Sequence, residues 1–211
     1  MAGSSSDVPP PVVDPTPQPN PLQEVIATLR GVVVWLLVAL ALRWLVVEPR
    51  WIPSGSMLPT LQLEDRVLVQ KILPRLGVNP GLGDIVVFHP PPLLLEAGYD
   101  PKAALIKRVV AVAGDRVEVR DGLLWRNGRA IDPDWSHTPA TYTLAPQEVP
   151  PGHLMVLGDN RNASLDSHVW GPLPGKEVIG TAFWRYWPLD RFGPLRFSAP
   201  EAREWKTSQV G

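Results

Sequence analysis

Three stretches of the sequence carry residue types that could do chemistry together. The first is Ser54-Gly55-Ser56-Met57-Leu58-Pro59-Thr60, two serines about a glycine with Pro53 and Pro59 fixing the backbone on either side. Such a turn can present a hydroxyl and a backbone N–H side by side, although composition alone favours an ordinary Ser/Gly/Pro loop. A serine nucleophile needs a base. His89, His137, His153 and His168 all lie beside prolines or in polar loops and read as surface histidines. A lysine can serve instead where desolvation brings its pKa toward 7 to 8. Of the five lysines, Lys71, Lys102, Lys176 and Lys206 fall at element ends, in loops or near the terminus. Lys107 alone is embedded in an apolar run, Ala103 to Ile106 before it and Val109 to Val112 after it. Its other reading is a lysine on the solvent face of that strand. The third stretch, Gly158 to Ser167 followed by His168-Val169-Trp170-Gly171, is either a solvent loop or a hydrogen-bonding shell at the end of the apolar strand Leu154 to Leu157. Asp84, Asp159 and Asp166 stand on separated segments without a histidine at ligand spacing, which is poor material for a metal site.

The elements that must position these groups follow from periodicity. Asp65 to Gln70, Asp84 to Phe88 and Arg116 to Arg120 alternate with a period near two and predict strands. Asp121-Gly122 and Asn127-Gly128 are turn formers and predict a β-meander over 116–131. Prolines at 90 to 92, 133, 139, 146, 150 and 151 break any helical alternative, so Leu93 to Glu96 is the one short helix predicted in a mainly antiparallel β domain. Upstream, Gly31 to Val47 has Arg43 as its only charge, and would cover ~26 Å of a ~30 Å hydrocarbon core. Arg43 can snorkel, and Trp44 and Trp51 suit the interfacial belt. A buried core helix and a cleavable secretory signal, whose charged start would be Arg30, are the competing readings, and the 29 residues ahead of Arg30 argue against the second. Arg43, Arg50 and Arg66 on the C-terminal side would by charge alone place the following domain in the cytoplasm. Pro9 to Pro11, Pro15, Pro17, Pro19 and Pro21 mark a proline-rich tail unable to bury a core. The expected division is 1–23 tail, 24–48 transmembrane helix, and 49–211 β-rich domain with a small hairpin cap at about 116–150.

Composition excludes several classes. The 211 residues give one domain plus an appendage. A net charge of -1 disfavours a nucleic-acid partner, and the absence of cysteine excludes disulfides, thiolate metal sites and a cysteine nucleophile.

In this order and directly after an apolar span, these stretches resemble the bacterial type I signal peptidases, the Ser-Lys leader peptidases. The matching pieces are Glu48-Pro49 with Ile52 to Thr60; Gly83 to Phe88; Ile106-Lys107-Arg108-Val109-Val110 with Gly114-Asp115; and Gly158-Asp159-Asn160-Arg161 through Ser164, Asp166-Ser167 and Trp170-Gly171. The resemblance implies an antiparallel β-sheet catalytic domain of the signal-peptidase type behind one N-terminal transmembrane helix. It implies Ser56 as nucleophile, Lys107 as general base, Ser54 as oxyanion donor with the Ser56 N–H, and Ser164 orienting Lys107. Arg108, Asp159, Asn160, Arg161 and Asp166 would hold the site together, and Ile52, Pro53 and Ile106 would wall the substrate pockets. Secretory preproteins with small residues at -3 and -1 are the implied substrates. The lipid bilayer is an implied partner, the protein translocase is a further candidate, and no metal or organic cofactor is implied. The family's topology places the catalytic domain outside the cytoplasm, against the charge count. His168 stands where a basic residue, often arginine, is usual, so a salt bridge to Asp166 would depend on pH. Asn162-Ala163 replaces an Asp-Asn pair, and Arg50-Trp51 a more apolar pair. The aromatic run Phe183 to Pro188 is either a closing core strand or a bilayer contact. A self-cleaving repressor protease shares the chemistry but should carry a helix-turn-helix module. An inactive membrane-anchored binding domain would need neither the serine nor the lysine.

Overall fold

The computed structural model describes residues 21–131, 135–136 and 138–195. The tail before residue 21, Pro133, His137 and Lys206 lie outside them. The chain divides into two compact units, one ending at Ala41 and one beginning at Leu42.

The first unit contributes most of one helix, α1 (Pro21–Leu45). Its apolar window is Leu22–Ala41, 20 residues and thus ~30 Å long, which matches a bilayer's hydrocarbon core. The helix overlaps the expected span 24–48, beginning a little earlier at Pro21 and ending at Leu45, because Val47 already belongs to a strand. Leu22, Trp35 and Leu37 are all exposed. A helix that is apolar all round and buries nothing in its own chain is suited to lipid. The side chains of Arg43 and Trp44 lie outside the described residues.

The second unit is β-rich. Its strands are β1 (Val47–Trp51), β2 (Arg66–Gln70), β3 (Ile85–Phe88), β4 (Leu105–Val112), β5 (Arg116–Arg120), β6 (Leu123–Arg126), β7 (Arg129–Ile131), β8 (Leu144–Glu148), β9 (His153–Leu157), β10 (Leu173–Pro174), β11 (Val178–Trp187) and β12 (Gly193–Pro194). The larger sheet runs β1-β2-β11-β3-β4-β9-β10, with β12 on β11, and the smaller runs β7-β6-β5-β8. Every pairing is antiparallel. The predicted meander is the β5-β6-β7 part of the smaller sheet. Asn127 takes a positive φ of 53° and Gly128 one of 77°, the left-handed pair that a tight hairpin turn demands.

Three short helices accompany the strands: α2 (Ile72–Arg75), α3 (Pro92–Glu96) and α4 (Ser167–Trp170). Only α3 was expected from the sequence. The other two are single turns, too short for a 3.6-residue period to register, and α4 is instead started by the Asp166 carboxylate accepting from the His168 N–H at 3.2 Å. Alternation fills the core. Val67 and Val69 of β2 and Ile85 and Val87 of β3 pack with Ile52, Met57, Leu61 and Ile106. Val86 and Phe88, the other face of β3, meet Val109, Leu154, Trp170 and Leu173. The smaller sheet buries Val117, Val119, Leu124 and Ile131 against Val110, Met155 and Leu157. The run Phe183 to Trp187 is the end of β11, with Trp184 packed edge-on against Phe192.

Candidate active site

Lys107 is carried by β4, opposite Val86 of β3, and is only 5% exposed. A strand of Ile, Val and Ala has no water to offer an ammonium, so desolvation lowers the Lys107 pKa to about 8, against the opposing pull of the Asp166 and Asp159 carboxylates. Its Nζ lies 2.8 Å from Ser56 Oγ and 3.0 Å from the Ile106 carbonyl oxygen. The neutral amine offers its lone pair to the serine hydroxyl at that distance, and the ammonium donates to it.

Ser56 is held by the turn that follows β1. The Leu58 N–H closes onto the Gly55 carbonyl at 3.2 Å, the Leu61 N–H onto that of Met57 at 2.9 Å, and Met57 plugs the turn into the core with no exposed surface. Ser56 is buried while Ser54 is exposed, and their hydroxyl oxygens are 3.4 Å apart. Among the described residues no hydrogen bond uses the Ser56 N–H. That donor and the Ser54 hydroxyl are therefore both available to an incoming oxygen.

The strand end after β9 is stitched to this turn. The Asn160 N–H donates to the Ser56 carbonyl, and Asn160 Nδ2 donates to the Gly55 carbonyl, each at 3.1 Å. Gly158 makes the approach possible: a Cβ there would fall 2.5 Å from the Ser56 carbonyl oxygen and 2.3 Å from Ser164 Oγ. Ser164 Oγ is buried and has no hydrogen-bond partner, and the bonds of Lys107 go to Ser56 and Ile106.

Around these groups runs a buried ionic network. Arg108 grips Asp159 with both Nε and Nη2, at 2.8 and 2.7 Å, and donates to the Gly83 carbonyl at 2.9 Å and to Thr60 Oγ1 at 3.3 Å. One side chain so ties β3, β9's end and the serine turn to the strand of Lys107. Breaking such a buried pair typically costs ~3–5 kcal/mol. Asp166, fully buried, accepts from the Gly158 N–H at 2.8 Å with one oxygen and faces His168 Nδ1 at 2.7 Å with the other. Arg161 donates Nε to the Gly158 carbonyl at 3.2 Å, and burial pulls its pKa down while Tyr142, Asp159 and Asp166 favour its charge. Asp84 is separate: its carboxylate caps the Gly81 N–H at 2.8 Å, and burial raises its pKa.

Ser56 and Lys107 open onto a cleft of about 350 Å³ whose wall includes Pro53, Ser54 and Ile106, together with Leu94, Tyr99 and Leu165. Ile52, expected in that wall, is 2% exposed and packs in the core instead, because its backbone pairs with Asp65 and Glu64 and turns the side chain inward. Tyr99 and Leu165 gave no signal in the sequence, each being a lone apolar residue in a loop. His168 is not a surface histidine: besides Asp166 it stacks on Tyr142, with ring centroids 3.9 Å apart. Asn162 holds the segment across the site, accepting from the Thr141 N–H at 2.7 Å and donating to the Pro139 carbonyl at 2.9 Å.

The sequence model of the family described as signal peptidase, peptidase S26, matches residues 25–187. The chain belongs to that family. It is 46% identical over 180 residues to a probable signal peptidase I-1 of Synechocystis sp., covering 85% of this chain and 91% of that one. A signal peptidase I of Leptolyngbya laminosa is 42% identical over 199 residues, 91% of this chain and 96% of the relative. A probable chloroplastic thylakoidal processing peptidase 2 of Arabidopsis thaliana is 48% identical over 158 residues, 75% of this chain but 43% of the relative. Family membership makes the chain a peptidase of the signal-peptide-processing kind, and its long apolar N-terminal helix agrees with membrane association.

Proposed function

We propose that the protein is a membrane-bound endopeptidase that removes N-terminal signal peptides from exported preproteins, with Ser56 as nucleophile and Lys107 as general base. The observation that carries this reading is the 2.8 Å approach of a desolvated lysine amine to a serine hydroxyl at the floor of an open cleft. Neutral Lys107 takes the Ser56 proton as Oγ attacks the scissile carbonyl. The oxyanion formed is met by the Ser56 N–H and the Ser54 hydroxyl. The Lys107 ammonium then protonates the departing amine, leaving an ester on Ser56. Lys107 next takes a proton from water as its oxygen attacks the ester, then returns that proton to Ser56 Oγ as the C–O bond breaks, releasing the signal peptide's new carboxyl terminus and restoring the neutral amine. Ser164, whose buried hydroxyl has no partner, is assigned to orient the Lys107 amine.

Small residues at -3 and -1 suit the walls made by Pro53 and Ile106, and Arg108, Asp159, Asn160, Arg161 and Asp166 hold the frame. We assign α1 as a single span of the plasma membrane with the catalytic unit on the extracytoplasmic side, where exported chains emerge from the translocase. A thylakoid membrane is the alternative raised by the plant relative's name.

The test is cleavage of a detergent-solubilised preprotein with an Ala-x-Ala site, the new N-terminus being read by mass spectrometry. Wild type cuts after the second alanine, Ser56→Ala and Lys107→Ala lose nearly all turnover, and Ser54→Ala loses on the order of 10² to 10³ in rate. Full activity in either of the first two variants would overturn the dyad. Failure of folded wild type to cut across several preproteins at pH 7 to 9 would leave a binding role.

A further inference from the structure

The connection from β7 to β8 crosses the buried ionic network at three places. Trp135, 8% exposed, lays its ring on the Arg108 guanidinium, whose Cζ is 4.3 Å from the ring centroid. Pro139 and Thr141 are held by Asn162. Tyr142 stacks on His168 at 3.9 Å with its ring only 16° from parallel. The other side of the connection is fixed to the smaller sheet, where the Ala140 N–H donates to the Gly122 carbonyl at 2.9 Å.

The two rings are not placed at random within the network. Arg108 is the partner of Asp159 and His168 the partner of Asp166, and these two carboxylates are the charges whose pull Lys107 feels most. We propose, on the reading that Lys107 is the general base, that Trp135 and Tyr142 are positioning residues: each ring seals the side chain that holds one of the two carboxylates acting on Lys107, Arg108 for Asp159 and His168 for Asp166, and the pair thereby sets the dryness around the amine. Neither ring touches the reacting atoms. The polar ends of both are idle, since Trp135 Nε1 and the Tyr142 hydroxyl are buried with no hydrogen-bond partner among the described residues, so the faces of the rings are what the site uses.

The sign follows from the groups around Lys107. Ser56 bonds the amine from the serine turn, Asp159 and Asp166 act on it from the β9 end and the loop beyond, and Tyr99 shares its cleft wall. Arg108, His168, Arg161 and Tyr142 act on those two carboxylates and on one another rather than on the amine directly. Removing a ring admits water to the network. Water solvates the Lys107 ammonium and loosens the hold of Arg108 on Asp159 and of His168 on Asp166, both of which favour the protonated amine. It also screens the carboxylates, which favours the neutral amine. Desolvation is the largest influence on Lys107, so the first effect prevails.

The experiment is the pH profile of kcat/KM from pH 6 to 10 for the full-length protein on the Ala-x-Ala preprotein. For Trp135→Ala and Tyr142→Ala the acid limb moves to higher pH by about one unit, so that activity falls about tenfold at pH 7 and recovers toward wild type by about pH 9.5. Trp135→Phe and Tyr142→Phe, which keep a ring face, follow the wild-type profile. Should an alanine variant not fold, Trp135→Leu and Tyr142→Leu keep most of the apolar volume without the face and are read in the same way. Folded variants whose acid limb stays in place, or whose activity falls equally at every pH, overturn the proposal. Ser56→Ala and Lys107→Ala run in parallel separate the two readings: activity in either defeats the dyad itself, whereas inactive dyad variants with unmoved limbs defeat the rings' role alone.

Discussion

Lys107 is a charge placed where the fold resists charge, and that conflict is measurable as stability. Its pKa falls from 10.5 to about 8 on burial, so between those values the unfolded chain holds a proton that the folded chain has lost. Stability therefore rises with pH through that window, and below about pH 8 the folded protein bears the full penalty, on the order of 3 kcal/mol. Lys107→Met removes the charge and keeps the length of the side chain, at the cost of two hydrogen bonds of ~1 kcal/mol each. In denaturant titrations the Met variant is expected to be about 1–2 kcal/mol more stable than wild type at pH 7 and to lose that advantage by pH 10.5. A variant less stable at pH 7 would mean that the buried ammonium costs little.

At the scale of elements, the site depends on two strand ends meeting a turn, and Gly158 is where they touch. Gly158→Ala places a methyl against the Ser56 carbonyl oxygen and Ser164, both at well below van der Waals distance. The strand end must move off the turn and take Asn160 with it. Activity is expected to fall at least 10²-fold with the melting temperature lowered by several degrees, as read by the preprotein assay and a thermal melt; an active, equally stable Ala variant would show that the turn can shift freely. The strands bearing this arrangement were legible in the sequence, since β2 and β5 alternate over five residues and β3 is a short apolar run buried on both faces. So was the environment of Lys107, from its apolar neighbours. Its partner was not, because Ser56 and Lys107 are 51 residues apart and are brought together by long-range contacts: Met57 anchoring the turn, Arg108 reaching Thr60, and Asn160 holding the Gly55 and Ser56 carbonyls from the strand end beside β4. The resemblance of the motifs supplied that link before any distance did. Ile52 misled because an apolar residue beside a reactive turn reads equally as wall or as core. Trp135 and Tyr142 left no trace, being single aromatics in a proline-bearing connection without periodicity.

For the whole molecule, α1 is the element long and apolar enough to carry membrane association among the described residues. A 20-residue apolar window with no buried side chain should keep the full chain in the membrane pellet through an alkaline carbonate wash, and release into the supernatant would contradict a spanning helix. The catalytic unit has its own architectural economy. The smaller sheet is reached from β4 and left into β9, and β4 and β9 are hydrogen-bonded neighbours in the larger sheet. Its whole excursion thus passes through one doorway whose two jambs are adjacent strands. Beside that doorway lies the Asn127-Gly128 turn, which Asn127 pins to the first residues after β4: its N–H donates to the Arg116 carbonyl at 2.8 Å, its Nδ2 to Asp115 at 2.7 Å, and its Oδ1 accepts from the Arg116 N–H at 2.8 Å. The turn is thus a latch on the door, and a foreign sequence spliced in there would be expected to unfasten the smaller sheet where it joins the larger one.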